Sequence, residues 1–549
     1  VYEYVPLSTN DGNPVCQYQM TTLEELGLLK MDFLGLRNLT VLDDAVKLVQ
    51  KTVPDFRIED APEDDKATYE MLAAGRTSGV FQLESTGMTG VCVSLKPRSI
   101  EDITALIALY RPGPMDSIPR FLECSVHPEK ISYKHELLRP ILSVTYGCIV
   151  YQEQVIEIFR RLAGFSLGQA DMIRRAMSKK KHKVIDAERV AFIHGDPSRG
   201  IAGAIANGVP ESVANSIYDE ILDFASYAFN KAHAVSYAIV AYRTAYMKRH
   251  YPQQYMAALL TSVLESSTKV AEYIAECREL GIKLLPPDVN ESDANFTVAG
   301  ENIRFGLVAI KGIGWGAIEE LVAERHENGL FTSFEDFCKR MSGKELNRRA
   351  VENLIRAGAF DGMGYKRKAL LQIAGAVIDS ISQAVRDNIA GQYDLFGDFE
   401  AQSETSPQTI PIPDVEEFSA RDKMMMEKEV TGLYLTGHPM DEYRDAVRKV
   451  GAVPIGAILG DFAADDGPQR FSDNQYVTVA GVISSMRTRT TRNNSLMSYV
   501  QLEDDTGTME MIAFQKVIDT CGSLLRENNA VIVRGRISVR DEKEPQLMA

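Results

Sequence analysis

The spacing of apolar residues changes along the chain and divides it into stretches of different character. Residues 1–45 carry short apolar runs around turn signals: "STNDGNPV" reads as a hairpin-type turn and "LGLLKMDFLGL" as a buried strand, at the edge of an α/β region whose first part lies upstream. From about 65 to 265 apolar positions recur at helical spacing, as in "VIEIFRRLAGF" and "SVANSIYDEILDFASYAF", with breaks at "YRPGPM", "TYGCIV" and "HGDPSRGI". That pattern predicts a large, mainly helical region with several long loops.

Strands return at about 280–310, in "IKLLPPDVN" and "FTVAGENIRFGL". "AIKGIGWGAIEELVAER" then sets a glycine turn between two apolar helical patterns, and a compact helical region continues to about 390. Residues 398–418 are rich in acidic residues, Ser, Thr and Pro, the composition of a linker. From about 475, "YVTVAGVISSM", "MSYVQLED", "TMEMIAF" and "AVIVRGRI" alternate as strands, with a helical stretch before the fourth. A five-stranded OB-type barrel fits, with its last strand cut off.

Composition adds limits. The 549 residues are 45% hydrophobic and 25% charged, enough for several packed cores. No apolar run is long enough for a membrane span and no leader pattern stands at the N-terminus, so the expectation is a cytoplasmic protein without membrane contact. Seven scattered cysteines without a C-x-x-C pair argue for reduced thiols and against a zinc site. The net charge of −16 means that any contact with nucleic acid comes from local basic patches. The start on Val1 and the stop at "EPQLMA" mark an expected fragment of a longer protein.

Those patches are few. "DMIRRAMSKKKHKV" brings Arg174, Arg175, Lys179, Lys180, Lys181 and Lys183 together, a plausible grip on a triphosphate or a nucleic-acid backbone; a solvated helix face accounts for the same charges. "SYAFNKAHAVSYA" sets Asn230, Lys231 and His233 in a polar break between aromatic-rich helices, with Tyr237 one helical turn after His233; a helix cap is the alternative. Arg111 stands in "YRPGPM", where prolines stiffen the loop around it, or simply mark a rigid turn.

In "IKGIGWGA", Gly312, Ile313 and Gly314 form a glycine hairpin whose amides can approach a phosphate, with Lys311 adding charge: the helix-hairpin-helix device that grips a duplex without reading sequence. "GQYDLFGD" offers Gln392, Asp394, Leu395 and Phe396 as a short segment able to dock in a partner's pocket or to pack on its own domain. Asp32 interrupts an apolar run; it is a turn cap, a partner of Arg37, or a ligand of a cation.

Ten blocks, "KMDFLGLRNLTVL", "GVFQLESTGM", "LIALYRPGPM", "YGCIVYQEQV", "ADMIRRAMSKKK", "FNKAHAVSYA", "KLLPPDVN", "AIKGIGWGA", "LNRRAVENLIRAGAFD" and "GLYLTGHPM", occur in an order that resembles the C family of bacterial replicative DNA polymerases, the DNA polymerase III alpha subunits. The resemblance covers essentially the whole chain and implies a multidomain α+β fold. Its expected parts are the end of a polymerase beta-like palm (1–55), mainly helical fingers (56–285), a helix-hairpin-helix duplex- and clamp-binding domain (286–400), a linker with connecting helices (401–470), and a truncated OB-type barrel (471–549). The N-terminal PHP domain and most of the palm would lie outside the chain.

The same resemblance implies roles. Asp32 matches the third of three palm aspartates that hold two Mg²⁺ ions, while the first two have no counterpart here, so the chain alone is expected not to polymerise. Arg111, Arg174, Arg175, Lys179, Lys180, Lys181, Asn230, Lys231 and His233 would line the side of the fingers that receives the incoming dNTP. Gln392 to Phe396 would bind the sliding clamp (the beta subunit), and Arg487, Arg489, Arg492 and Tyr499 would meet single-stranded template. Implied partners are primer-template DNA, dNTPs, the clamp and other holoenzyme subunits; the competing reading is a non-catalytic protein that binds DNA and the clamp.

Overall fold

The computed structural model describes residues 2–549 apart from 11, 30, 32–34, 112–113, 179–181, 226–228, 265, 345, 393–409, 463–467, 469, 491–494 and 540–544, with backbone alone at 178, 182–184, 225, 267–268 and 384–392. Residues 1–40 and 41–549 form two compact units.

In the first unit, β1 (Leu7–Asn10) pairs antiparallel with β2 (Asn13–Cys16), Asn10 opposite Asn13, and Gly12 supplies the turn at φ +81. The hairpin expected at "STNDGNPV" is therefore present. Of the strand expected over "LGLLKMDFLGL", the described residues carry none, and the short helix Met20–Glu25 ends just before them. Gly27, at φ +80, donates its amide to the Glu24 carbonyl while the Leu28 amide reaches the Leu23 carbonyl, which closes the last helical turn. Beyond it Leu29 and Met31 are exposed, at 84% and 72%, and no strand runs through the described residues of 28–36. An apolar run this short shows no period that separates a strand from a loop. Asp32 lies outside the described residues.

The second unit begins with a mainly helical region whose spine is the long helix Lys231–His250, packed along the helix Ile100–Leu109. Ala234, Ala238, Ala241 and Ala245 recur at helical spacing on the spine and are fully buried, which lets neighbouring backbones approach closely. Its far end is fixed by Lys248, a buried ammonium that donates to the carbonyls of Arg76 and Ser78 at 3.0 and 2.8 Å and pairs with Glu276 at 2.7 Å. Three acceptors offset the desolvation of the ammonium, which costs far more than that of a neutral polar group when left unpaired. Burial still pushes the Lys248 pKa below its ordinary value.

A small sheet, ordered β3 (Leu284–Leu285), β5 (Asn302–Arg304), β4 (Thr297–Ala299), leads into the helices Trp315–Asn328, Phe334–Arg340, Arg348–Arg356 and Arg367–Gln392. The glycine turn is followed by a helix, as expected, but is preceded by a single 3-10 turn, Leu307–Ala309, in place of the first helix. Gly306 explains this: a Cβ there would come within 2.5–2.8 Å of backbone atoms of Ala294, Asn295 and Phe296. The chain passes tightly over that segment in extended form before it turns.

The described part of the linker has no helix or strand from 410 to 418, yet it is anchored. The Glu417 carboxylate accepts from the Arg367 and Lys368 amides, at 2.8 and 3.1 Å, and so caps the helix Arg367–Gln392.

The C-terminal strands β6 (Tyr476–Thr490), β7 (Leu496–Glu503), β8 (Thr508–Phe514), β9 (Ala530–Ser538) and β10 (Gln546–Met548) form a closed barrel in the order β10-β8-β7-β6-β9. The fifth strand, expected to be cut off, is thus present and closes the barrel: β10 lies parallel to β8 and antiparallel to β9, with Leu547 fully buried. Three residues are too few to show an alternating pattern, so only the tertiary pairing reveals the strand.

Candidate nucleotide and nucleic-acid interface

Within the helical region the chain segments at Tyr151 and Phe229 meet as an isolated parallel bridge, with the Gln152 amide donating to the Phe229 carbonyl at 2.9 Å. Around this bridge the structure gathers five of the sequence-predicted residues from separate stretches. Asn230 caps the spine helix through Oδ1, which accepts from the His233 amide at 2.8 Å. Its Nδ2 donates to Glu153 Oε1 at 2.8 Å, and the Lys231 amide donates to Glu153 Oε2 at 2.9 Å. The Lys231 ammonium lies 3.2 Å from Glu101 and 5.5 Å from the centre of the Tyr151 ring. Arg174 donates to the Gln152 side chain at 2.9 Å and pairs with Asp171.

Rings continue the site outward. The Arg111 guanidinium stacks 3.8 Å from the centre of Phe229. Phe229 and His233 lie 5.3 Å apart, His233 and Tyr237 4.2 Å, and Tyr237 and Phe81 5.2 Å, so one helical turn does bring His233 and Tyr237 together. The result is a row of π-faces edged by cations, with His233 and Arg111 exposed. Such a surface can stack a base and hold phosphate oxygens.

Not every predicted residue joins it. Arg175 points outward at 68% exposure and pairs with Asp171 on its own helix. Lys179, Lys180 and Lys181 lie outside the described residues. Sequence reasoning passed over Tyr151, Glu153 and Glu101. The available signal was "YQEQV", polar residues directly behind the apolar run "CIVY". Burial raises the Tyr151 phenol well above its ordinary pKa, and its Oη finds no hydrogen-bond partner among the described residues.

A second basic site surrounds the hairpin. Gly312 takes φ +78, Ile313 is buried, and Gly314 caps the helix Trp315–Asn328. The Lys311 amide is already used, donating to the Val430 carbonyl at 2.7 Å, and the Lys311 carbonyl accepts from Asn353 Nδ2 at 2.7 Å. Beside the turn opens a cavity of about 520 Å³ whose lining includes Lys311, Gly312, Arg348, Arg349, Asn353 and Arg356, and also the acids Glu352 and Glu429. Arg348, Arg349 and Arg356 escaped the sequence reading although they share one helix face, at positions i, i+1 and i+8 behind the Asn347 cap.

On the barrel, Arg487 on β6 stands directly opposite Tyr499 on β7, and Arg489 opposite Met497, so the three predicted residues share one face. Arg487 and Arg489 are exposed, and Arg492 lies outside the described residues. Gln392 ends its helix, while Asp394, Leu395 and Phe396 fall outside the described residues. Among the described residues no three His, Cys, Asp or Glu are arranged to hold a metal ion, and no helix is long and apolar enough to cross a membrane.

Comparison with known proteins agrees with this arrangement. Residues 38–200 match the bacterial DNA polymerase III alpha subunit finger domain, 281–370 a helix-hairpin-helix motif, and 477–549 an OB-fold nucleic acid binding domain. The chain is 38% identical over 544 residues to the DNA polymerase III subunit alpha of Borreliella burgdorferi and 40% identical over 547 residues to that of Thermus aquaticus, covering 98% of its own length in both. Along nearly its whole length the chain is similar to bacterial DNA polymerase III alpha subunits.

With the Bacillus subtilis alpha subunit it shares 38% identity along its whole length. It spans 46%, 43% and 47% of these three alpha subunits, a little under half of each. Arg111, Glu153, Arg174 and Arg175 fall within the finger-domain match, the hairpin and the Arg348–Arg356 helix within the helix-hairpin-helix match, and Arg487, Arg489 and Tyr499 within the OB-fold match.

Proposed function

We propose that this chain supplies the nucleotide-receiving fingers and the DNA grip of a replicative DNA polymerase, which adds deoxynucleotides to a primer 3′ end and releases pyrophosphate. The observation that carries the reading is the convergence of Arg111, Arg174, Asn230, Lys231 and His233 on the Tyr151–Phe229 bridge, a cationic rim beside stacked rings. A rim with cations can meet a triphosphate and stacked rings a base, which supports the reading. The alpha-subunit relatives support the same assignment by their printed name.

Asp32 is assigned to Mg²⁺, an ion that favours carboxylate oxygen. When bound, the ions neutralise the triphosphate and activate the primer hydroxyl. One carboxylate does not hold two ions, and the relatives are about twice as long, so the 549 residues are proposed not to extend a primer unaided. The test pairs this chain with the remaining portion of an alpha subunit on primed template with dNTPs and Mg²⁺. Extension is expected from the mixture only, and to fall at least a hundredfold, on the order of a lost metal ligand, with Asp32→Asn. Extension unaffected by Asp32→Asn removes Asp32 from the metal site.

Duplex binding is assigned to the hairpin and the Arg348–Arg356 helix, single-stranded template to the barrel face carrying Arg487, Arg489 and Tyr499, and clamp docking to Gln392–Phe396. For the last, Leu395→Ala combined with Phe396→Ala is expected to abolish retention on an immobilised clamp. Equal retention would leave those side chains to packing within the chain.

A further inference from the structure

Resting on the nucleotide reading above, we propose that Glu153 is a positioning residue for the triphosphate, acting through Asn230 and Lys231. Its carboxylate closes a circuit of three hydrogen bonds between two helix starts: Asn230 Nδ2 to Glu153 Oε1 at 2.8 Å, the Lys231 amide to Glu153 Oε2 at 2.9 Å, and the His233 amide to Asn230 Oδ1 at 2.8 Å. Two of the otherwise unsatisfied amides at the start of the spine helix are occupied in this way. The circuit fixes the direction in which Lys231 and His233 leave the helix.

The platform under Glu153 is rigid. The next residue, Gln154, accepts from the Val150 and Tyr151 amides at 2.8 and 2.9 Å and donates to the Ile141 carbonyl and the Thr145 hydroxyl at 3.2 and 2.8 Å. The preceding residue, Gln152, receives Arg174 on its side chain and gives its amide to Phe229. One helical turn thus carries the contacts that orient Arg174 on one side and Asn230, Lys231 and His233 on the other. Glu153 faces the spine helix from the first turn of its own helix.

Because a bound phosphate is gripped only by groups already in place, a displacement of the Lys231 turn by a fraction of an ångström weakens that grip. Glu153→Gln breaks the circuit selectively. A Gln side chain can still accept the Lys231 amide, but its NH₂ then confronts the Asn230 NH₂, donor against donor. Replacing Asn230 by Asp in the same chain repairs it with unchanged total charge: the Gln NH₂ donates to one Asp oxygen, and the other accepts from the His233 amide.

The experiment measures binding of a dNTP to the 549-residue chain with Mg²⁺ and primed template, alongside affinity for the template and the thermal midpoint. Glu153→Gln is expected to weaken dNTP binding about tenfold while template affinity and the midpoint hold. Glu153→Gln with Asn230→Asp is expected to recover part of the lost dNTP affinity, since Asn230 itself stands on the rim. No dNTP binding by the unaltered chain overturns the nucleotide reading, and this inference with it. Binding by the unaltered chain that Glu153→Gln leaves unchanged overturns this inference alone. So does a loss that the double variant leaves in full, or one that runs in parallel with lost template affinity and a lowered midpoint.

Discussion

Arg367 and Glu427 are sixty positions apart and both buried, the guanidinium 2.9 Å from the carboxylate. Glu427 also accepts from the amides of Leu435 and Thr436 and from the Thr436 hydroxyl, while Arg367 bonds Asp361 and the Arg356 carbonyl. The cluster ties the segment after the linker to the helix before it. Breaking a buried pair from one side leaves the other charge uncompensated, so Glu427→Ala is expected to cost about 3–5 kcal/mol in urea unfolding. A cost below about 1 kcal/mol, the range of exposed pairs, would mean that Asp361 suffices for Arg367. Neither residue was legible as a partner of the other, since each stands in an ordinary amphipathic helix. The residues of the proposed nucleotide site were legible by type, but Glu153 was not, because an acid among basic residues reads as a routine surface charge.

At the scale of elements, turn chemistry was the most legible feature. Asn-x-Gly-Asn between β1 and β2 and the glycine pair after Lys311 both appear where turns were read. Gly312 is required twice over: its φ of +78 disfavours any side chain, and a Cβ would stand 3.0 Å from Asn353 Nδ2, the group that holds the Lys311 carbonyl. Gly312→Ala is therefore expected to weaken duplex binding by roughly tenfold, through about 1–2 kcal/mol of left-handed strain relieved by deforming the turn. An unchanged affinity in a filter or anisotropy assay would take the hairpin out of the duplex contact. Two readings differ from the described residues: the strand over 26–36, of which 30 and 32–34 lie outside them, and the helix before the hairpin. In both, the local period is carried by so few residues that a cap or a close backbone approach decides the outcome.

A chain of net charge −16 groups some of its basic residues in local patches: the fingers rim, the hairpin cavity and one face of the barrel. Binding that depends on such patches releases counterions from DNA, so duplex affinity is expected to fall steeply between 50 and 200 mM salt, by about a thousandfold if some six phosphates are contacted, and to be nearly independent of sequence. A flat salt profile, or strong preference for one duplex sequence, would refute the backbone grip. The order of regions, helical, then hairpin-bearing, then barrel, was determined by sequence alone. Hydrophobic period and turn residues act over a few neighbours and need no partner to be read. Tertiary structure alone decided what depends on contacts between distant stretches: the closing of the barrel by three residues around Leu547, the burial of Arg367 against Glu427, and the meeting of Tyr151 with Phe229 that gathers the proposed nucleotide site. Those contacts come from hydrogen bonds and charge pairs that no local pattern encodes.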